Sequence, residues 1–344
     1  MDRNLLFLYP LWGMIVGEDA YNPTGQRKGM TPTMENRTRY LPEGDRIDTP
    51  ENRAAVGSLT ALMQAKEEGL LLEGRVVRCD VDHNLYVKLP CGEGIIPRRE
   101  GALGIAEGTT KDIVLITRVN KPVCFVVTGF EHTEAGCRPV LSRRLAQQRC
   151  KEEFLDHLQL GDVIPARITR LETFGAFCDV GCGLPALLPI ADISVSRILH
   201  PGDRLTVGME ILSVVSSLEN DRICLSHREL LGTWEENAAR FQVGETVAGI
   251  VRSVEPYGIF VELSPNLAGL AEPHPGVRVG QQAAVYIKSV QPEKLKIKLA
   301  LIDATDNDQP PTAPEYFITA GPLTHWRYSP EGCARVIERH FDRV

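Results

Sequence analysis

The sequence predicts a mainly β chain: small five-stranded Greek-key barrels in tandem, joined by short helices, with helical additions at the N- and C-terminal ends. Three observations predict it. First, Gly161 to Val180 (GDVIPARITRLETFGAFCDV) recurs without a gap at Gly244 to Leu263 (GETVAGIVRSVEPYGIFVEL), at a constant shift of 83 residues. Second, each copy runs through apolar residues at strand spacing, bends at an aromatic-Gly pair (Phe174-Gly175, Tyr257-Gly258) and re-enters a strand carrying a second aromatic, Phe177 or Phe260. Third, each copy closes with a basic-apolar strand, Arg222 to Ser226 or Lys294 to Leu299. Strand side chains alternate faces. Cys178 and Val180, like Val261 and Leu263, are assigned to the core; Phe177 and Asp179, like Phe260 and Glu262, to the solvent side.

Taken in order, residues 1–46 show no periodicity and are expected to be disordered or loosely packed. Their apolar run Leu5 to Val16 is near the length of a signal-peptide core. It has an interior proline, only Arg3 before it and no small-residue cleavage site, so export is not expected. The purine-rich codons implied by Arg27-Lys28-Gly29 make Met30 or Met34 alternative starts. Thr49-Pro50-Glu51 begins a helix over 47–69, with Ala55, Leu59, Leu62 and Met63 as its apolar stripe and Gly69 as its stop.

Residues 70–150 form a divergent first copy and a connector helix. Leu85 to Leu89 matches the second strand, Gly94-Ile95-Ile96-Pro97 matches Ala186-Leu187-Leu188-Pro189, and Val140 to Arg144 matches Cys224 to Arg228. Asp82-His83-Asn84 stands at the bend, so this copy is read as lacking both aromatics. Ile113 to Val119 and Val123 to Thr128 are expected strands. The second copy occupies 160–230. In the connector 231–243, Thr233 and Glu236 form a capping box, and Trp234 is read as a packing anchor between barrels. The third copy occupies 244–302. A linker and helical tail fill 303–344, with Ser329-Pro330-Glu331 as a helix start and Cys333, Val336, Ile337 and Phe341 as apolar positions.

The 344 residues are 43% apolar and 24% charged, with a net charge of −7, so the chain is no bulk polycation. Charge is local, about +3 over the first copy and about −3 over the second. Nine scattered cysteines read as free thiols of a reducing, cytoplasmic compartment, and no run is long enough to span a bilayer. Cys178 and Cys182 lack a second ligand pair, and the eight histidines fall in separate segments. No metal, cofactor or small-molecule substrate is therefore expected. Nor is there a phosphate-binding glycine loop, an HExxH or a carboxylate cluster with metal spacing, so no catalytic residue is assigned.

Aromatics on an open barrel face, ringed by cations, stack bases and track phosphates of single-stranded nucleic acid. In the third copy these are Tyr257 and Phe260 with Lys288, Lys294, Lys296, Lys298 and Arg252; in the second, Phe174 and Phe177 with Arg170, Arg222, His227 and Arg228. The pattern G-D/E-x-x-x-A/G, then F/Y-G-x-F, a Gly-rich turn and R/K-I/L-x-L resembles the S1 RNA-binding domain. The second and third copies match well and the first in part, and the flanks TPENRAA and YFIT…WRYSP resemble short bacterial S1-like proteins. The resemblance implies OB-type barrels that bind single-stranded RNA, with messenger RNA and the small ribosomal subunit as partners. Family contacts carry over to Phe174, Phe177 and Arg222, and to Tyr257, Phe260 and Lys294. Where the family often has His, this chain has Pro189 and Glu272, which implies low affinity per module. The first copy is assigned to protein docking. Two other readings stay open: a docking scaffold on ribosome or RNA polymerase whose barrels have lost RNA, and an RNA-processing enzyme to which the barrels deliver substrate.

Overall fold

The repeat folds into three closed five-stranded barrels. This computed structural model describes residues 39–134, 136–219, 222–307 and 310–342. The expectations for Leu5 to Val16, Met30 and Met34 lie outside the described residues. The first barrel comprises β1 (Leu72–Cys79), β2 (Leu85–Leu89), β3 (Gly92–Ile96), β4 (Pro122–Thr133) and β5 (Gly136–Ser142). The second comprises β6 (Val163–Glu172), β7 (Gly175–Asp179), β8 (Pro185–Pro189), β9 (Glu210–Glu219) and β10 (Arg222–Ser226). The third comprises β11 (Thr246–Glu255), β12 (Gly258–Ser264), β13 (Leu267–Ala271), β14 (Gln282–Gln291) and β15 (Lys296–Thr305). In each, the third strand meets the fifth in parallel, at Ile95↔Val140, Leu187↔Cys224 and Leu270↔Lys298. These bridges fix equivalence between copies better than sequence spacing does.

The aromatic-Gly bend has a steric cause. A Cβ on Gly175 would sit 2.4 Å from the Leu188 carbonyl oxygen, and one on Gly258 2.6 Å from that of Ala271. Only glycine lets the second strand approach the third this closely. Inward positions then fill the barrels: Ile168, Ala176, Cys178, Val180, Leu188 and Leu225 in the second; Val251, Ile259, Val261, Leu267, Ile287 and Leu299 in the third.

Several helical expectations change. The helix over 47–69 is two helices, α1 (Pro50–Val56) and α2 (Leu59–Glu68). Thr49 caps the first by accepting from the Asn52 N–H. The chain breaks at Gly57-Ser58, where Ser58 Oγ accepts from the Ala61 N–H and starts the second. The expected strand Ile113 to Val119 is instead the short helix α3 (Ile113–Ile116), with Leu115 buried and Ile113 and Ile116 exposed. A short apolar run has no periodicity to separate the two states. The connector helix α4 is Arg143–Glu153, and α5 is Trp234–Ala238 with the expected capping box.

No described residue of the C-terminal addition is helical. Among its described residues it forms a two-stranded ladder, β16 (His325–Arg327) with β17 (Glu338–His340). Trp326 and Tyr328 are buried at strand spacing, joined by Cys333 and Phe341. Trp326, Tyr328 and Phe341 pack with Val163 and Val214 of the second barrel, Trp234 of α5 and the core of the third. Tyr316 reaches the second barrel through its hydroxyl oxygen, which accepts from the Leu212 N–H at 2.9 Å, and the Tyr328 hydroxyl donates to the Asn266 carbonyl. The tail thus fastens the second barrel to the third.

Residues 39–46, expected to be loose, are a strap between the first two barrels. Tyr40 stacks on Phe154 at 6.4 Å, and the Leu41 carbonyl accepts from the Cys182 N–H. Glu43 is bound bidentately by Arg143 at 2.6 and 3.0 Å and accepts from Arg118 and the Cys124 N–H. Its own N–H donates to Asp179. Asp179, assigned to solvent, is therefore buried, and so is Glu262 in the seam between the second and third barrels. The strands put both acids on the outer faces as expected, but neighbouring elements cover them.

Candidate nucleic-acid interface

The two expected ring pairs are outside and reachable. Phe174 is 53% and Tyr257 66% exposed, while Phe177 and Phe260 are half-buried beside them. The pairs share one geometry: Phe174–Phe177 centroids lie 6.1 Å apart at 89°, and Tyr257–Phe260 centroids 6.2 Å apart at 87°. Each edge-to-face contact holds the second ring against its strand and leaves the other ring projecting from the bend. An unpaired base can stack on such a surface.

The cations divide. Arg170 is exposed, lies 5.8 Å from the Phe177 ring centroid and pairs with Glu172. Arg222, Lys296 and Lys298 are exposed. The bridges Leu187↔Cys224 and Leu270↔Lys298 make Lys296, not Lys294, the counterpart of Arg222. Lys294 is also exposed but lies in a 3-10 turn before β15, because Leu295 adopts φ 51° and interrupts the expected strand. Lys288 pairs with the exposed Glu272 at 2.9 Å, a contact that solvent keeps weak.

Three assigned residues serve other ends. His227 is buried, with Nδ1 3.1 Å from the Ile193 carbonyl and Nε2 3.1 Å from the Tyr316 hydroxyl, so it reaches no ligand. Arg228 is turned to Asp192 and Glu229, which Arg339 of the tail also binds at 2.8 and 2.9 Å. Arg252 sits at a strand irregularity between Val251 and Ser253. There it donates to Glu262 at 2.9 and 3.2 Å, alongside Arg204 from the second barrel. The same irregularity recurs in β1 and β6, between Val76 and Arg78 and between Ile168 and Arg170.

Register also recovers a residue the sequence reading missed. Tyr86 pairs with Ile95 as Phe177 pairs with Leu187, so the first barrel does carry the second-strand aromatic. His83 takes the position of Phe174. Tyr86 is buried beneath Arg78, whose guanidinium lies 3.2 Å from the ring centroid, with Arg138 at 5.6 Å. The one-residue offset of LYVKL against GAFCD hid this match. The first barrel has the ring position but presents arginine rather than an open ring.

Burial lowers His227 to about 4, against its hydrogen bond to Ile193 and with Arg204 adding positive charge. A histidine depressed in the fold contributes stability that is complete above its ordinary 6.5 and is lost as pH falls towards about 4. The expected loss is about 3 kcal/mol. Urea denaturation at pH 7 and pH 4.5 measures it, and His227→Gln should flatten that part of the difference.

Residues 157–228 match the family model described as the S1 RNA binding domain. Among curated proteins, the small ribosomal subunit protein bS1 of Rhizobium meliloti is 30% identical over 185 residues, covering 49% of this chain and 32% of that protein. The bS1 homolog of Bacillus subtilis is 31% identical over 182 residues, covering 48% of this chain and 47% of that protein. The chain thus spans about half or less of the length of these relatives. A solved multidomain protein with nucleic acid binding domains from Streptococcus pneumoniae is 14% identical, covers 68% of this chain and 74% of its own, and has a TM-score of 0.23. No described helix is long and apolar enough to cross a membrane.

Proposed function

Starting from the S1 RNA binding domain matched at residues 157–228, we propose that this chain binds single-stranded RNA through its second and third barrels. It does so without catalysis, bringing messenger RNA to the small ribosomal subunit in the cytoplasm. The observation that carries this reading is the duplicated ring pair, Phe174–Phe177 and Tyr257–Phe260, projecting in one geometry from two barrels. Arg170, Arg222, Lys296 and Lys298 supply the phosphate contacts. The first barrel, with Tyr86 covered and Ile113 and Ile116 exposed, is assigned to docking on the subunit.

Titration of a fluorescent single-stranded RNA at several salt concentrations tests the proposal. Four phosphate contacts predict a log K against log salt slope of about −3. The scaffold reading draws on the commitment of Arg228 and Arg252 to contacts within the protein, and it predicts no binding at any salt. Incubation of labelled RNA with magnesium should leave the RNA intact; cleavage would favour the enzyme reading.

A further inference from the structure

Among the described residues, a group of potential metal ligands lies outside the RNA-binding faces, on the tail ladder. In β16 and β17, His325 stands opposite His340, Trp326 opposite Arg339, and Arg327 opposite Glu338. Alternation puts Trp326 and Arg339 on the inner face, where Trp326 is buried and Arg339 binds Asp192 and Glu229. His325, His340, Glu338 and Arg327 share the outer face. The two imidazoles stack with centroids 4.3 Å apart at 22°. Glu338 places Oε2 3.5 Å from His325 Nε2 and Oε1 3.9 Å from His340 Nε2. One ligand atom from each of the three residues lies within 4.8 Å of the others.

These separations are at or beyond the limit of a hydrogen bond. They are close to the spacing of neighbouring ligands around zinc, about 3.3 Å for tetrahedral bonds of about 2.0–2.1 Å. Small rotations of exposed side chains would close the difference. We propose that His325, Glu338 and His340 form a divalent transition-metal site of the two-histidine, one-carboxylate type, with Zn²⁺ as its ion. Neutral imidazole and carboxylate suit this borderline cation, and three protein ligands leave a position for water. The ion joins the two strands of the ladder and closes the loop between them. Because the inner face of the same ladder lies in the seam between the second and third barrels, the bound ion stabilises that seam. Arg327 is the opposing charge on this face, and it weakens the site relative to an all-ligand cage.

The test uses the full chain, reduced and without an affinity tag. Isothermal titration with Zn²⁺ should give saturable one-to-one binding, and saturation should raise the thermal midpoint. His325→Ala and His340→Ala should each abolish both effects, while Glu338→Gln should weaken binding at least about tenfold, as loss of even an outer-shell partner does. Affinity should fall on acidification, because protons compete with the metal for the ligand atoms. Co²⁺ provides an independent readout: its visible bands should lack thiolate charge transfer. Absence of binding, full binding by His340→Ala, or a thiolate–cobalt band assigning the ion to cysteine would each overturn the proposal. None of these outcomes bears on RNA affinity, so the two proposals fail separately.

Discussion

Phe177→Ala combined with Phe260→Ala is expected to weaken single-stranded RNA binding by about 2–6 kcal/mol, at least about thirtyfold, since each stacked base contributes about 1–3 kcal/mol. These two rings are chosen over Phe174 and Tyr257 because each is the supported member of its edge-to-face pair. Removing it takes away one platform and the ring that holds the other in place. The rings sit on outer faces, so circular dichroism should report an intact fold. The salt slope should change little, because phosphate contacts remain. Lys296→Gln with Lys298→Gln should do the reverse, flattening the slope by about 1.4 while leaving stacking in place. Wild-type affinity in the double-ring variant would show that RNA, if bound, goes elsewhere.

Arg143→Ala is expected to cost about 3–5 kcal/mol of stability, because it strands the Glu43 carboxylate inside the protein. Side-chain exposure is 1% for Arg143 and 4% for Glu43. Burial would raise the Glu43 carboxyl, yet Arg143 and Arg118 hold it below its ordinary range. Arg118, at 3.3 Å, is the remaining partner and cannot replace a bidentate contact. Burial together with the Glu43 charge raises the nearby Asp179 to about 7, so acid already crowds this seam. Replacing both members, Glu43→Gln with Arg143→Met, should restore much of the loss, since neither charge is then left unpaired. Chemical denaturation of the single and double variants measures the coupling. Equal destabilisation of both would mean that the arginine acts through packing alone.

The barrels were legible because two copies kept the same glycine, ring and apolar positions at one spacing. Their twin rings were legible for the same reason, since alternation along a strand places a side chain without knowledge of its neighbours. What failed was whatever depended on another element. His227 and Arg228 lie at the end of a strand that reads as solvent-facing, but Ile193 and Tyr316 enclose the first, and Asp192 and Glu229 engage the second, none of which strand alternation shows. Arg252 is on the outer side of its strand as alternation requires, but Glu262 holds it in the seam that Arg204 of the second barrel closes. Tyr86 was missed because its match requires the pairing with Ile95. The tail read as helical from a Ser-Pro-Glu start, whereas Ser329 Oγ instead accepts from the Ile337 N–H and donates to the Arg335 carbonyl within the turn joining β16 to β17.

The position of that tail also sets an order of events during synthesis. Both barrels it clasps lie earlier in the chain, so each can close on itself while Trp326, Tyr328 and Phe341 have yet to be made. Domains generally fold as units in the order they emerge. The nascent protein therefore passes through a stage in which the two barrels touch through Arg204–Glu262 and Val195–Asn266 but lack the clasp, which Trp326, Tyr328 and Phe341 add as they emerge.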